Sequence, residues 1–285
     1  MITITQAIIL GLLQGAAELF PISSLGHSVV LPSLMGWNIH QNDNSFLIFL
    51  VATHFATAMV LLFFYKDTWM GIIKGVVRSL EMREIRESDR EAKLGWLLVV
   101  GTVPAGILGI LFQDQIRATF VTARSAAFFL MLNGLLLLGA EFLRKRARTD
   151  SGSKNRNDRL AKITWAQSVK VGAAQAIALI PGLSRSGASM GGGLLIGLSN
   201  EDAAHFAFLL ATPIIFAAAL LKLPELFQPQ NHALLAPSLI GGACSAISAY
   251  VAVKFLTKYF QSNSLRPFGI YCLGFGALCS LLFWR

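Results

Sequence analysis

The sequence predicts an all-α polytopic membrane protein of two inverted-topology repeats, each a re-entrant helical hairpin followed by three transmembrane helices. Three observations carry this prediction. Hydrophobic residues make up 54% of the 285 and charged residues only 14%, with a mean hydropathy of +0.60. Soluble domains average about 25% charged residues, so this chain lacks the charge a water-facing surface needs. Several apolar runs approach the roughly 20 residues that cross a bilayer core. A polar motif also occurs twice at one constant offset: Gln6, Gly11, Gln14, Ser23, Gly26 and Ser28 return as Gln167, Gly172, Gln175, Ser184, Gly187 and Ser189.

Repeat one, residues 1–142, opens on the apolar segment 2–36, broken by Pro21-Ile22-Ser23-Ser24-Leu25-Gly26. Proline lacks a donor and clashes with the preceding turn, while glycine admits other backbone shapes. Such a break is tolerated at membrane depth only where it faces protein or a wet cavity. The predicted spans 45–65, 94–112 and 119–142 follow. Between the first two, the stretch 78–93 alternates in charge sign and predicts an amphipathic cytoplasmic helix.

A basic linker, 143–162, joins the halves: Arg144, Lys145, Arg146, Arg148, Lys154, Arg156, Arg159 and Lys162 face only Asp150 and Asp158. Repeat two, residues 163–285, opens on a second broken segment, 163–198, interrupted by Pro181-Gly182-Leu183-Ser184-Arg185-Ser186-Gly187. Spans 203–222, 236–258 and 266–284 complete it. Phe49-Leu50-Val51-Ala52-Thr53 is echoed by Phe208-Leu209-Leu210-Ala211-Thr212 in the span after each hairpin.

Charge orients these elements. The basic linkers 66–93 and 143–162 read as cytoplasmic, and 36–44 and 223–235, without Lys or Arg, as external. The region 254–266, with Lys254, Lys258 and Arg266, falls inside only if both broken segments re-enter, one from each side. Broken apolar segments at corresponding places in two halves point to a midplane binding site. The net charge of +9 does not indicate nucleic acid, because no Lys or Arg precedes Lys66 and the largest excess sits in one linker. Attraction to anionic lipid headgroups is its natural consequence. Cys244, Cys272 and Cys279 have no metal-ligand spacing and an odd count, and read as small core or lipid-facing residues. Without a basic stretch ahead of the first apolar run, the spans themselves direct insertion.

Glu18 is an ionisable group within an apolar segment, which costs about 3 kcal/mol on insertion and marks a functional candidate. Gln14, four residues earlier, shares its helix face. Ser23 and Ser24 precede a helix near Gly26, as caps or, with Glu18 and His27 nearby in sequence, as an activated nucleophile. Arg185 sits between Ser184 and Ser186 at the start of a glycine-rich helix. Hydroxyls, a guanidinium and helix N-terminal amides make an anion site, most naturally for phosphate; an ion pair with Glu18 is compatible with that role. His54 is placed to line the same cavity. His205, Glu201 and Asp202 read as interfacial, and Asn133 as a helix–helix hydrogen-bonding residue. Gly241-Gly242-Ala243 allows close packing within one protomer or between the protomers of a homodimer.

The stretch Leu13–His27 and the stretch Pro181–Ser189 resemble the bacterial undecaprenyl-diphosphatase family, also called bacitracin-resistance proteins. The first matches the family's (Glu/Gln)-x-x-x-Glu and Pro-x-Ser-Ser-x-Gly-His motifs, taking the glutamine option at Gln14. The second matches Pro-Gly-x-Ser-Arg-Ser-x-x-Thr, with Ser189 in place of threonine. The resemblance covers nearly the whole chain and implies a phosphatase in the bacterial plasma (inner) membrane. Its substrate would be a polyprenyl diphosphate, undecaprenyl diphosphate, converted to the monophosphate for cell-wall synthesis, with the site opening to the external side. By carry-over, Glu18, Ser24, His27 and Arg185 match catalytic positions, with Ser184, Ser186 and Ser189 beside them; Gln14, Ser23 and His54 are read as further substrate-binding candidates. A divalent cation, magnesium or calcium, is expected, bridged by the substrate's own diphosphate. Ser24 would attack with Glu18 or His27 assisting, or His27 itself would attack. Inverted repeats with re-entrant hairpins also suit a transporter or flippase of a polyprenyl phosphate.

Overall fold

The computed structural model describes residues 2–40, 43–86, 88–120, 122–144 and 156–284, with the side chains of 113, 114 and 116–120 outside that description. Of the basic linker predicted at 143–162, residues 145–155 lie outside the described residues. The described chain is helical. The first broken segment forms α1 (Ile4–Leu19) and α2 (Ser24–Leu34). Next come α3 (Asn44–Phe64), α4 (Lys66–Met82), α5 (Arg90–Phe120), α6 (Ala123–Arg144) and the short α7 (Arg156–Leu160). The second broken segment forms α8 (Trp165–Ile177) and α9 (Arg185–Leu195), followed by α10 (Asn200–Lys222), α11 (Leu235–Tyr259) and α12 (Arg266–Phe283). Among the described residues six helices, α3, α5, α6, α10, α11 and α12, are long and apolar enough to cross a membrane.

Two expectations shift. The span predicted at 119–142 begins at Ala123, because 119 and 120 complete α5. The amphipathic helix predicted at 78–93 is instead α4, which ends at Met82 with Arg83 in the left-handed region (φ 51°). Its buried residues Ile72, Gly75 and Ser79 recur at helical spacing. Of the sign-alternating residues, Arg83, Glu84, Arg86 and Asp89 lie in the turn into α5. There Asp89 Oδ1 accepts the Ala92 amide at 3.0 Å, and Arg78 Nε donates to Asp89 Oδ2 at 2.6 Å. That guanidinium holds the Asp89 carboxyl below its ordinary range.

Lipid supplies little hydrophobic drive between helices, so close packing and interhelical hydrogen bonds hold them together. The repeated glycines serve this directly. α1 lies along α11, and a Cβ on Gly11 would stand 2.2 Å from the Gly241 carbonyl oxygen. α8 lies along α5 in the same way, and a Cβ on Gly172 would stand 2.0 Å from the Gly101 oxygen. Of the two roles open to Gly241, the structure therefore shows packing within the chain. Ser168 Oγ donates to the Leu97 carbonyl at 2.6 Å across the α8–α5 contact. Ser245 Oγ donates to the Thr53 carbonyl at 2.9 Å across α11–α3. Such bonds average about 0.6 kcal/mol.

α3 and α10 run antiparallel. Tyr65, just past α3, meets His205 near the start of α10 at a tilt, with ring centroids 4.8 Å apart, and Phe55 meets Phe216 edge-on at 5.3 Å. The opposite ends, Leu47 and Leu50 of α3 and Ile214 and Ile215 of α10, face a shared cavity. At the closed end, α7 clamps the first turn of α10. Arg159 forks onto Asp202 at 2.7 and 2.8 Å, and Arg156 pairs with Glu201. α6 packs against α12, with Gly134 and Gly269 at their closest approach.

Candidate active site

Both hairpins reach the cavity through their breaks. α1 stops before Pro21, with Phe20 already extended. Ser23 then caps α2, its Oγ accepting the Gly26 amide at 3.1 Å, from a backbone at φ +71°. α8 stops at Ile177, and Gly182 takes φ +103°. Ser184 caps α9 by accepting the Gly187 amide at 3.0 Å, from ordinary extended backbone. The first helical residues after the two caps are Ser24 and Arg185. These occupy equivalent places in the repeated motif and face one cavity.

Glu18 is the hub. It is buried, and its Oε2 accepts Ser24 Oγ at 2.6 Å and Gln14 Nε2 at 3.0 Å. His54 Nε2 lies 3.1 Å from the same oxygen, while Oε1 is ion-paired with Arg185 of the other hairpin. The Leu50 carbonyl, 2.6 Å from His54 Nδ1, can only accept, so Nδ1 carries a hydrogen and Nε2 is aimed at Glu18. The cavity measures about 290 Å³. Its polar wall is Glu18, Ser23, Ser24, His54, Ser184 and Arg185; α3, α10 and Leu179 supply apolar walls.

The structure thus brings Gln14, Glu18, Ser23, Ser24, His54, Ser184 and Arg185 together. It does not bring His27 to the cavity. His27 Nδ1 lies 2.7 Å from the Ser23 carbonyl and Nε2 2.8 Å from the Tyr271 hydroxyl, with the ring stacked on Phe275. Of the two groups expected to assist Ser24, Glu18 is therefore the one at hydrogen-bond distance. Ser186 Oγ bridges to Ser184 Oγ at 3.0 Å and to the Phe20 carbonyl at 3.2 Å, tying one loop to the other. Ser189 Oγ turns back to Gln175 Oε1 at 3.3 Å, inside its own hairpin.

Tyr271 escaped the sequence reading, and Asn133, read as bonding helix to helix, has further partners. Tyr271 of α12 braces His27, and nothing in its local sequence marks it. Asn133 of α6 binds both loops: Nδ2 donates to the Pro21 carbonyl at 3.0 Å, and Oδ1 accepts the Ser184 amide at 3.0 Å. A lone polar residue within an apolar span was its only signal.

Chemically, a hydroxyl on a carboxylate, beside a guanidinium at a helix N-terminus, suits attack on a bound phosphoryl group. A resident hard cation is poorly served. Such ions take six or more oxygens, whereas the cavity offers one carboxylate with both oxygens engaged. No group of three His, Cys, Asp or Glu is placed to hold a metal among the described residues. The side chains of the described residues do not fit a standing metal site.

This fold and cavity define a polytopic helical membrane protein with a polar-walled cavity between two broken helical hairpins. The chain belongs to the family described as bacitracin resistance protein BacA, whose sequence model matches residues 7–278. It is 43% identical to the undecaprenyl-diphosphatase of Mycolicibacterium paratuberculosis, over 94% of this chain and 93% of that one. Undecaprenyl-diphosphatase 2 of Chromobacterium violaceum is 42% identical over 98% of each chain. Undecaprenyl-diphosphatase 2 of Frankia alni is 36% identical over 99% of this chain and 98% of its own.

Proposed function

We propose that this protein hydrolyses undecaprenyl diphosphate to undecaprenyl phosphate and inorganic phosphate, recycling the lipid carrier of peptidoglycan synthesis and so conferring bacitracin resistance. One observation carries the chemistry: Ser24 Oγ is 2.6 Å from Glu18 Oε2 while Arg185 holds the other carboxylate oxygen. Ser24 Oγ attacks the terminal phosphorus and passes its proton to Glu18. The phosphoanhydride bond breaks and undecaprenyl phosphate leaves with the bridging oxygen. Glu18, having released the Ser24 proton to solvent, takes a proton from the water that attacks the phosphoserine and returns it to Oγ as the phosphorus–Oγ bond breaks. Inorganic phosphate departs. Arg185 and the amides opening α9 stabilise the charge that spreads over the phosphoryl oxygens. His54 and Gln14 hold Glu18 toward Ser24. The cavity's apolar walls take the first isoprene units, and the remaining tail lies among the spans.

Magnesium or calcium, where it takes part, arrives on the substrate's diphosphate, since the side chains offer it no cage. The two-repeat division at 1–142 and 163–285 is supported by the exchanged packing of α1 on α11 and α8 on α5. It is supported further by the antiparallel course of α3 and α10. The cavity is walled by the start of α3 and the later turns of α10, next to the linkers 36–44 and 223–235 that hold no Lys or Arg. By the positive-inside bias it opens outward, from a bacterial plasma membrane. The test is phosphate release from undecaprenyl diphosphate by the purified protein in detergent, with magnesium or calcium. Robust release supports the reading; a folded, silent wild type overturns it.

A further inference from the structure

We propose that Asn133 is a positioning residue that sets the first hairpin's nucleophile loop against the second hairpin's phosphate clamp; this rests on the phosphatase reading. Neither loop is bonded to its own repeat alone. Asn133 is buried on α6, and its carboxamide is satisfied on both sides. Nδ2 donates to the Pro21 carbonyl (3.0 Å) and reaches Cys272 Sγ at 3.4 Å. Oδ1 accepts the Ser184 amide at 3.0 Å. A carbonyl only accepts and a backbone amide only donates, so these partners fix which way the group points.

Pro21 lies three residues before Ser24, and Ser184 immediately precedes Arg185. One rigid, two-χ side chain therefore registers attacking oxygen and guanidinium to each other. It touches neither substrate nor reacting atoms. Close packing around it leaves little slack: a Cβ on Gly182 would stand 2.5 Å from the Ala126 carbonyl oxygen, and one on Gly26 would stand 3.0 Å from Gly182 Cα. The titratable group facing the carboxamide is the Cys272 thiol of α12. His27 faces Tyr271, and Glu18 and Arg185 face each other across the cavity.

The experiment compares wild type, Asn133→Ala and Asn133→Asp in phosphate release across pH, with thermal unfolding of each. Asn133→Ala is expected to lower kcat by about 10–100-fold, the cost of a roughly 1 Å misplacement, with KM changed far less. The neutral acid of Asn133→Asp reproduces both bonds, donating O–H to Pro21 and accepting from Ser184. Ionised, it sets a carboxylate against the Pro21 carbonyl. Its kcat relative to wild type should therefore climb as pH falls, whereas that of Asn133→Ala stays flat.

A folded Asn133→Ala with kcat within about threefold of wild type overturns the proposal. So do two variants equally impaired with parallel pH profiles, the mark of a purely structural role. If neither variant folds, hydrogen exchange in the wild type decides. The Ser184 amide should exchange as slowly as amides in the middle of α6; exchange at the rate of its loop neighbours overturns the assignment. That arm needs no turnover, so a failure of the phosphatase reading is seen separately as a silent wild type.

Discussion

The two hairpins begin from one sequence pattern and end as different chemical tools. Both first helices open with the same capping box, Thr3 with Gln6 and Thr164 with Gln167. Both second helices are capped by a serine of the repeated motif, Ser23 or Ser184. Three replacements at the breaks distinguish their chemistry, Glu18 against Leu179, Ser24 against Arg185 and His27 against Ala188, together with a strained Ser23 backbone against an ordinary one at Ser184. The first hairpin carries the carboxylate and hydroxyl, and the second carries the guanidinium. A repeated sequence pattern thus supplies paired positions at one cavity, and substitution at a few of them gives the carboxylate, hydroxyl and guanidinium on which the proposed mechanism rests.

The sharpest way to break this comparison is at the two first helical residues. Arg185→Ala is expected to lower phosphate release by about 10³–10⁵-fold, the scale of an arginine that stabilises a transferring phosphoryl group. Ser24→Ala should abolish the covalent route and fall comparably. A protein that only carries lipid phosphate would instead tolerate Ser24→Ala better than Arg185→Ala, so equal losses in both exclude the carrier. Next come Glu18 and Leu179. Glu18→Gln should cost about 10²–10⁴-fold in kcat, the span of a general base. Leu179→Ala should raise KM and leave kcat almost unchanged, because an apolar wall binds ground and transition states alike. Equal kcat losses at both positions would erase the division of labour.

The broad architecture was legible because it rests on signals a membrane forces into sequence. Apolar length, prolines that break helices and lysine–arginine asymmetry located all six candidate spans, four of them to within about three residues at each end. Repetition and the cost of a buried charge singled out Glu18, Ser24 and Arg185. The rest depends on side-chain direction across elements far apart in the chain. His27 lies nearest Ser24 in sequence, yet its ring turns to Tyr271, 244 residues away. His54, a full span later, reaches Glu18 because α3 packs behind α1. The helix predicted at 78–93 slid to 66–82 because burial against α5, rather than charge alternation, sets its face. Asn133, read as a contact between helices, does reach Cys272 of α12, and it also bonds two loops no local pattern could link.

Packing offers a gentler test of how alike the hairpins are. Gly11→Ala and Gly172→Ala would each drive a methyl into a neighbouring backbone carbonyl, at 2.2 and 2.0 Å. Both should lose stability by about 1–3 kcal/mol, the usual cost of overpacking, read as a lower unfolding temperature in detergent. Gly139→Ala on α6 is the control: nothing lies within 4 Å of its added carbon, so it should be neutral or gain up to about 1 kcal/mol. A clear difference between Gly11 and Gly172 would show that the two crossings tolerate strain unequally.

The smallest expected effect concerns the two capping serines, and its sign is the test. A glycine at an N-cap costs only a few tenths of a kcal/mol relative to serine, plus about 0.5–1 kcal/mol of extra unfolded-chain entropy. At Ser184, in ordinary extended backbone, nothing offsets those terms, and Ser184→Gly should lose about 1 kcal/mol. At Ser23, a non-glycine residue at φ +71° carries about 1–3 kcal/mol of strain that glycine removes. Ser23→Gly should therefore be neutral or up to about 1 kcal/mol more stable by thermal unfolding. Its kcat should nevertheless fall, because that constrained backbone aims the next residue, Ser24, at Glu18. A stabilised but slower Ser23→Gly would tie the strain to function; a variant both stable and fully active would leave Ser23 as a cap and no more.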